Sequence, residues 1–249
     1  MIEEIYNKKQ PIIDLLPVIQ GEGMYAGIPH ILIRLSGCNL RCQWKGNKCD
    51  TPYSSWNAET GDYNLNDVIS TLTDIPYIEH IMITGGEPCL HKALLQELVE
   101  LCHKFNYVVT IETNGSIDYF YTGADLISVS PKMSNSIPNI KEVGENSYSK
   151  HCEERINYAT LSQYVHNYKY EGEKIQFKFV VEDIKDLDEI KQLQTELKIP
   201  REIIYLMPEG ITSEEISNKR PMIFDMCIEN GYNYTDRLHV LAYGNKRKA

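Results

Sequence analysis

The chain lacks an excess of positive charge, an apolar run long enough to cross a bilayer, and any internal repeat. Its 25 Lys and Arg stand against 35 Asp and Glu, for a net charge of −10. Nucleic-acid affinity rests on clustered Lys and Arg that release counterions from phosphates, so that partner class is disfavoured and a small-molecule substrate is expected. The only basic cluster, Lys246-Arg247-Lys248, is expected to be a solvated tail. A membrane-spanning helix needs roughly 20 consecutive apolar residues, and no segment approaches that length, so no membrane partner is expected. Residues Met1 to Lys9 carry neither an apolar core nor a small-residue cleavage site of a secretory leader, which points to the cytoplasm. In that reducing compartment the 7 cysteines, an odd number, are expected to be free thiols or metal ligands rather than a disulfide framework.

What is present fits one domain over residues 1–249, because 249 residues with 42% hydrophobic content can bury a large single core. Six apolar, β-branched runs read as strands: His30 to Leu35, His80 to Thr84, Tyr107 to Glu112, Leu126 to Ser130, Ile175 to Val181 and Ile203 to Met207. Five runs with near-helical apolar spacing read as helices: Leu65 to Thr73, Leu90 to Phe105, Cys152 to Tyr168, Ile184 to Leu197 and Ser213 to Asn230. Asp183 and Thr212 are expected N-caps and Gly231 a C-cap, whereas Met133 to Ser149 reads as an irregular, mobile connection. Strand and helix in alternation imply parallel strands joined by right-handed crossovers. Six units are too few for a closed eight-stranded barrel, so the expectation is an α/β open (β/α)6 partial barrel with its site at the C-terminal strand ends.

Cys38, Cys42 and Cys49 follow the first of those strands in one short polar loop. Thiolates bind zinc and iron–sulfur clusters, and a closed zinc site normally takes four protein ligands. Only three cysteines are local, which leaves a coordination position free for chemistry. A zinc site completed by Cys89, Cys102, Cys152 or a histidine stays open on these residues alone. Cys102 and Cys227 lie in apolar helical patterns and read as packing residues. A second motif, Thr84-Gly85-Gly86-Glu87-Pro88, ends the next strand on the same face. Adjacent glycines let backbone approach a ligand closely, and the Glu87 carboxylate could pair with a ligand ammonium group.

Together the cysteine loop and the Gly-Gly-Glu-Pro turn resemble the radical S-adenosylmethionine superfamily, although C-x3-C-x6-C here replaces the usual C-x3-C-x2-C, as though Lys45 to Lys48 were inserted. A narrower resemblance covers almost the whole chain. The Ile19-Gln20-Gly21-Glu22-Gly23 turn, the run from Arg34 to Cys42, Cys49-Asp50-Thr51-Pro52-Tyr53, Ser130-Pro131-Lys132 and Leu238-His239-Val240-Leu241 are similar to the 7-carboxy-7-deazaguanine synthase family.

That resemblance implies a lyase that turns 6-carboxy-5,6,7,8-tetrahydropterin into 7-carboxy-7-deazaguanine and ammonia, on the queuosine-type 7-deazapurine route. It implies a [4Fe-4S] cluster on Cys38, Cys42 and Cys49, Mg²⁺ on Thr51, and S-adenosylmethionine against Asp50, Gly86, Ser130, Pro131, Lys132 and Lys178. It further implies substrate contacts from Ile19, Gln20, Gly21, Glu22, Arg34, Thr84 and His239, with Glu22 on the guanidine-like edge of the pterin and Arg34 on its carboxylate. An electron donor such as flavodoxin or ferredoxin and a homodimeric state are implied as well. Other radical enzymes on the same scaffold, such as a glycyl-radical activase, or a non-enzymatic zinc module, are the competing readings.

Overall fold

The computed structural model describes residues 6–247. The first strand, β1 (Ile12–Ile19), runs antiparallel to β2 (Pro29–Leu35). Five further long strands follow β2 in parallel and in sequence order: β5 (His80–Gly85), β6 (Val108–Thr113), β7 (Leu126–Val129), β8 (Ile175–Val181) and β9 (Ile204–Pro208). A two-residue strand, β10 (Asn233–Tyr234), completes the sheet order β1-β2-β5-β6-β7-β8-β9-β10. The six expected strands are these six parallel ones, and the α/β partial barrel is borne out with an antiparallel strand added at one edge.

Each parallel strand divides its residues between two buried faces. On β8 the outward Phe177, Phe179 and Val181 are fully buried, while Gln176 and Lys178 point inward. Ile31 and Ile33 on β2, and Ile81 and Ile83 on β5, repeat the outward pattern. The helices that cover them are α2 (Leu65–Asp74), α3 (Lys92–Lys104), α5 (Tyr158–His166), α6 (Asp186–Leu197) and α7 (Ser213–Asn230), joined by α1 (Pro52–Ser55), α4 (Ile140–Glu154) and α8 (Leu238–Tyr243). Thr212 accepts from Glu215 N and Glu215 reaches back in a capping box, and Gly231 closes the same helix at a φ of +67°, as expected.

Several expectations are corrected. The irregular stretch from Met133 to Ser149 contains a 3₁₀ turn at Ser134–Ser136 and most of α4, which is broken by Gly144 at a φ of +77°. The single helix expected from Cys152 to Tyr168 is two, because Asn157 caps a new start by accepting from Thr160 N over 3.1 Å. Asp183 is not the N-cap of α6; it accepts from Lys185 N over 3.1 Å one turn earlier. Residues 114–125, between β6 and β7, hold no helix, so one crossover of the idealised (β/α)6 plan is a bare loop.

The two edges of the sheet meet through polar loops rather than strand pairing. Gly23 N donates to Thr235 Oγ1 over 2.6 Å and Leu238 N to Gly21 O over 3.0 Å. The turn after β1 is thereby laced to the segment between β10 and α8. This seam forms one wall of the interior.

Candidate functional site

The inward side chains of β2, β5, β6 and β8, with the loops at their C-terminal ends, enclose a cavity of about 460 Å³. The sheet register places Arg34 beside Thr84, and Glu112 beside Ser128. The site residues expected from the sequence line this cavity except Pro131 and Glu87, both of which are buried outside its lining.

At one end stand the three cysteines. The apparent insertion is not a loose excursion: Gln43–Trp44 (β3) pairs antiparallel with Asn47–Lys48 (β4), so the residues between Cys42 and Cys49 form a hairpin. Lys45 and Gly46 make its turn at φ of +45° and +83°, the backbone that a two-residue hairpin turn matching strand twist requires. Cys49 N donates to Cys42 O over 3.0 Å, which brings the two cysteines side by side. Gln43 anchors the hairpin by accepting from Asn139 N over 2.7 Å, and Trp44 Nε1 donates to Asn135 Oδ1 over 3.2 Å. The helix and turn of the Met133 to Ser149 stretch therefore serve as its support.

Burial pushes all three thiols up: Cys38 to about 12, with the nearby Glu87 charge adding to it, and Cys42 and Cys49 likewise by desolvation. Bare thiolates would be costly there, and a cationic metal centre supplies the compensation. Among the described residues no three His, Cys, Asp or Glu side chains converge as ligands of a single metal ion. A cluster places each thiolate on a different iron, so its ligands do not have to meet at one ion. The three-thiol donor set fits a cluster with one iron left open.

The Gly-Gly-Glu-Pro turn packs directly on this loop. A Cβ on Gly86 would lie 2.3 Å from Gly37 O and 2.5 Å from Ser54 O, so only glycine permits the approach. Glu87 N donates to Gly37 O over 2.8 Å. The Glu87 carboxylate, however, does not face the cavity. It is fully buried and accepts from Cys89 N over 2.9 Å, Thr113 Oγ1 over 2.8 Å and Asn114 N over 2.7 Å. Glu87 is a structural acceptor that ties β5 to β6, which corrects the expectation of an ammonium ligand. The buried Cys102 and Cys227 are packing residues, as expected. Lys132 Nζ donates to Ser130 Oγ over 2.8 Å, and Thr51 Oγ1 lies 3.5 Å from Cys49 Sγ.

The other end is a buried charge network. Lys178 Nζ donates to Glu22 Oε2 over 2.5 Å and to Glu112 Oε1 over 3.2 Å. Arg237 bridges Glu22, at 3.1 Å, and Asp50. Burial alone would raise Glu22, but Lys178, Arg237 and His239 outweigh it and hold the carboxyl well below the usual range. Burial works against Lys178 too, and the Glu112 and Glu22 charges overcome it and keep the ammonium protonated. His239 stands 3.9 Å from Glu22 Oε1, and burial lowers it, so the ring is neutral near pH 7. Gln20 Nε2 donates to Glu112 Oε1 over 3.3 Å, and Thr84 Oγ1 to Glu112 Oε2 over 3.4 Å.

Arg34 Nε donates to Asp14 Oδ2 over 3.1 Å, and Asp14 is only 1% exposed. Its other oxygen accepts from Arg247, which stacks on Tyr53 with its guanidinium 3.9 Å from the ring centroid. Arg247 thus docks at the cavity's rim, correcting the solvated-tail expectation for that residue; Lys246 stays exposed, and Lys248 lies outside the described residues. Glu112 and Arg237 were not singled out from the sequence. Only Glu112's place at the inward end of a strand could have marked it.

A family model described as a 4Fe-4S single cluster domain matches residues 19–137. The chain is 37% identical over 230 residues to a 7-carboxy-7-deazaguanine synthase of Rhodopirellula baltica, covering 92% of this chain and 84% of that protein. It is 36% identical over 247 residues to the Halobacterium salinarum protein of the same name, covering 94% and 91%. The crystal structure of QueE from Escherichia coli superposes with a TM-score of 0.64 at 24% identity, over 96% of this chain and 98% of that one, a likeness of fold.

Proposed function

This chain belongs to the 7-carboxy-7-deazaguanine synthase family, and we propose from that premise that it converts 6-carboxy-5,6,7,8-tetrahydropterin into 7-carboxy-7-deazaguanine and ammonia. The observation that carries the reading is one cavity with a three-thiol loop at one end and an ionised Glu22 held between two cations at the other. Cys38, Cys42 and Cys49 would hold a [4Fe-4S] cluster, with S-adenosylmethionine against Gly86, Ser130, Lys132 and Asp50; Lys178 and Pro131, also expected there, are set aside because Lys178 pairs with Glu22 and Glu112 and Pro131 does not line the cavity. When bound, cluster and S-adenosylmethionine supply a carbon radical able to abstract hydrogen from the substrate.

The chain's own residues bind, orient and shield. Glu22 stays ionised and accepts the N–H groups of the pterin's guanidine-like edge, and the neutral His239 offers a hydrogen bond without adding charge. Arg34, steadied by Asp14, faces the substrate carboxylate, with which its guanidinium fork can pair in two places. Lys132 offers a cation to the carboxylate of S-adenosylmethionine. Gln20 and Thr84, both bonded to Glu112, line the wall between the two ends and limit the water that could intercept a radical. The Thr51 hydroxyl is a hard oxygen donor suited to Mg²⁺, which takes its remaining ligands from water and an anionic substrate.

The same reading places the protein in the cytoplasm as a homodimer, reduced by a flavodoxin or ferredoxin. Anaerobic turnover of the carboxy-tetrahydropterin by reconstituted, reduced protein, with and without Mg²⁺, tests it. Product formation stimulated by Mg²⁺ and abolished in Cys49→Ala is expected, and no product from a cluster-loaded protein refutes the assignment.

A further inference from the structure

We propose that Arg237 is a positioning residue, whose guanidinium fixes the distance between the substrate end of the cavity and the cysteine loop. Three loops remote in sequence meet on this one side chain. Nε donates to Glu22 Oε1 over 3.1 Å, Nη1 to Gly210 O over 2.5 Å, and Nη2 to Asp50 Oδ2. Glu22 belongs to the turn after β1, Asp50 directly follows Cys49, and Gly210 follows β9. The side chain is 8% exposed and sits in the seam that joins the two edges of the sheet.

The chemistry calls for arginine at this point. Glu22 and Asp50 are both carboxylates, and the Glu22 charge raises the cost of ionising Asp50, so a cation between them favours their approach. A planar fork with donors in fixed directions can hold both carboxylates and a carbonyl at once; a lysine ammonium has three donors but is a point charge without that fixed spread. The backbone beside Arg237 is itself tied down by the Leu238 N to Gly21 O bond. Glu22 and Asp50 are thereby set in one rigid frame.

The inference rests on the proposed function, in which Glu22 binds the pterin and the cysteine loop holds the cluster. It adds that the aim of the abstracting radical at the substrate depends on Arg237. Reactive geometry is exacting, since a displacement of 1 Å can cost about 10²-fold in rate.

Arg237→Met and Arg237→Lys, reconstituted anaerobically beside the wild type, supply the test. Product and released 5′-deoxyadenosine are measured separately with substrate, S-adenosylmethionine, Mg²⁺ and a chemical reductant. Binding of 6-carboxypterin to the same reconstituted proteins is followed by fluorescence anisotropy. Arg237→Met is expected to keep its iron content, to lose product by about 10²-fold while 5′-deoxyadenosine accumulates, and to bind 6-carboxypterin about tenfold more weakly. Arg237→Lys is expected to recover binding more than coupling. A folded Arg237→Met with the wild-type ratio of product to 5′-deoxyadenosine overturns the proposal. If Arg237→Met does not fold, the ratio in Arg237→Lys decides on the same terms. A wild type that forms no product defeats the functional reading, and the anisotropy arm then judges Arg237: equal affinity in wild type and variants, or no binding by any of them, overturns it.

Discussion

Cys49 N donates to Cys42 O over 3.0 Å, so the last two of three loop cysteines are neighbours across the base of a hairpin although six residues separate them. The extra length is absorbed by backbone pairing between Gln43–Trp44 and Asn47–Lys48. A chain with two residues between these cysteines and one with a zipped hairpin can therefore present the same pair.

Gly46 makes this testable. At a φ of +83° with no atom within 4 Å of a built Cβ, its constraint is conformational alone. Gly46→Val should lower stability by about 1–2 kcal/mol, the cost of a left-handed backbone for a branched residue. Denaturant midpoints should fall, and iron retained per chain after reconstitution should fall with them, while Gly46→Asn should retain both.

Glu87 gives a second prediction. Because its carboxylate serves Cys89 N, Thr113 Oγ1 and Asn114 N, Glu87→Gln must turn an amide NH₂ toward at least one donor. A loss of about 1–3 kcal/mol in unfolding free energy is expected. Affinity of the folded, cluster-loaded protein for S-adenosylmethionine, measured by calorimetry, should be unchanged; a selective loss of that affinity would restore Glu87 as a ligand.

At the opposite end, Lys178 separates two carboxylates with its side chain only 4% exposed. Lys178→Met leaves Glu112 without its cation and should cost about 3–5 kcal/mol, the penalty of breaking a buried pair. Lys178→Met combined with Glu112→Gln should recover part of that loss, because the orphaned charge is removed while Arg237 still serves Glu22. Chemical denaturation of the wild type, both single variants and the double variant measures the coupling.

Stability against pH should report His151. Burial, with Arg155 and Lys132 nearby, lowers it from 6.5 to about 4, and its Nδ1 accepts from Arg41 N over 3.2 Å in the cysteine loop. Between those values the unfolded chain holds a proton that the folded chain refuses. The stability contributed by the neutral ring is therefore complete above pH 6.5 and is lost as pH falls toward 4, by about 1–3 kcal/mol. His151→Gln should flatten that portion of the wild-type profile in denaturation of the cluster-free protein.

The parallel strands were legible because both their faces are buried, so Ile31, Ile33, Ile81, Ile83, Phe177 and Phe179 stand out as short apolar runs. β1 escaped notice because Asp14 and Pro17 interrupt its pattern, and its acidic residue is buried only through pairing with two arginines. Helix α4 was hidden by Gly144 and a composition of Asn, Ser and Glu. At the site, the cysteines announced themselves as three thiols in a loop too polar to be core. Arg237 did not, since an arginine near a chain end looks solvated until folding sets it between residues 22 and 50. The carboxylate of Glu87 pointed the other way for a related reason: its neighbours Thr113 and Asn114 are remote in sequence.

The central claim is that Cys38, Cys42 and the hairpin-displaced Cys49 form one cluster-holding triad. Iron, sulfide and zinc analysis of anaerobically purified and reconstituted protein, wild type beside Cys49→Ser, tests it most directly. The account predicts about four irons and four sulfides per wild-type chain, no stoichiometric zinc, and loss of the cluster in Cys49→Ser. A colourless wild type carrying one zinc per chain, or a Cys49→Ser protein that keeps its full iron and sulfide, would contradict it.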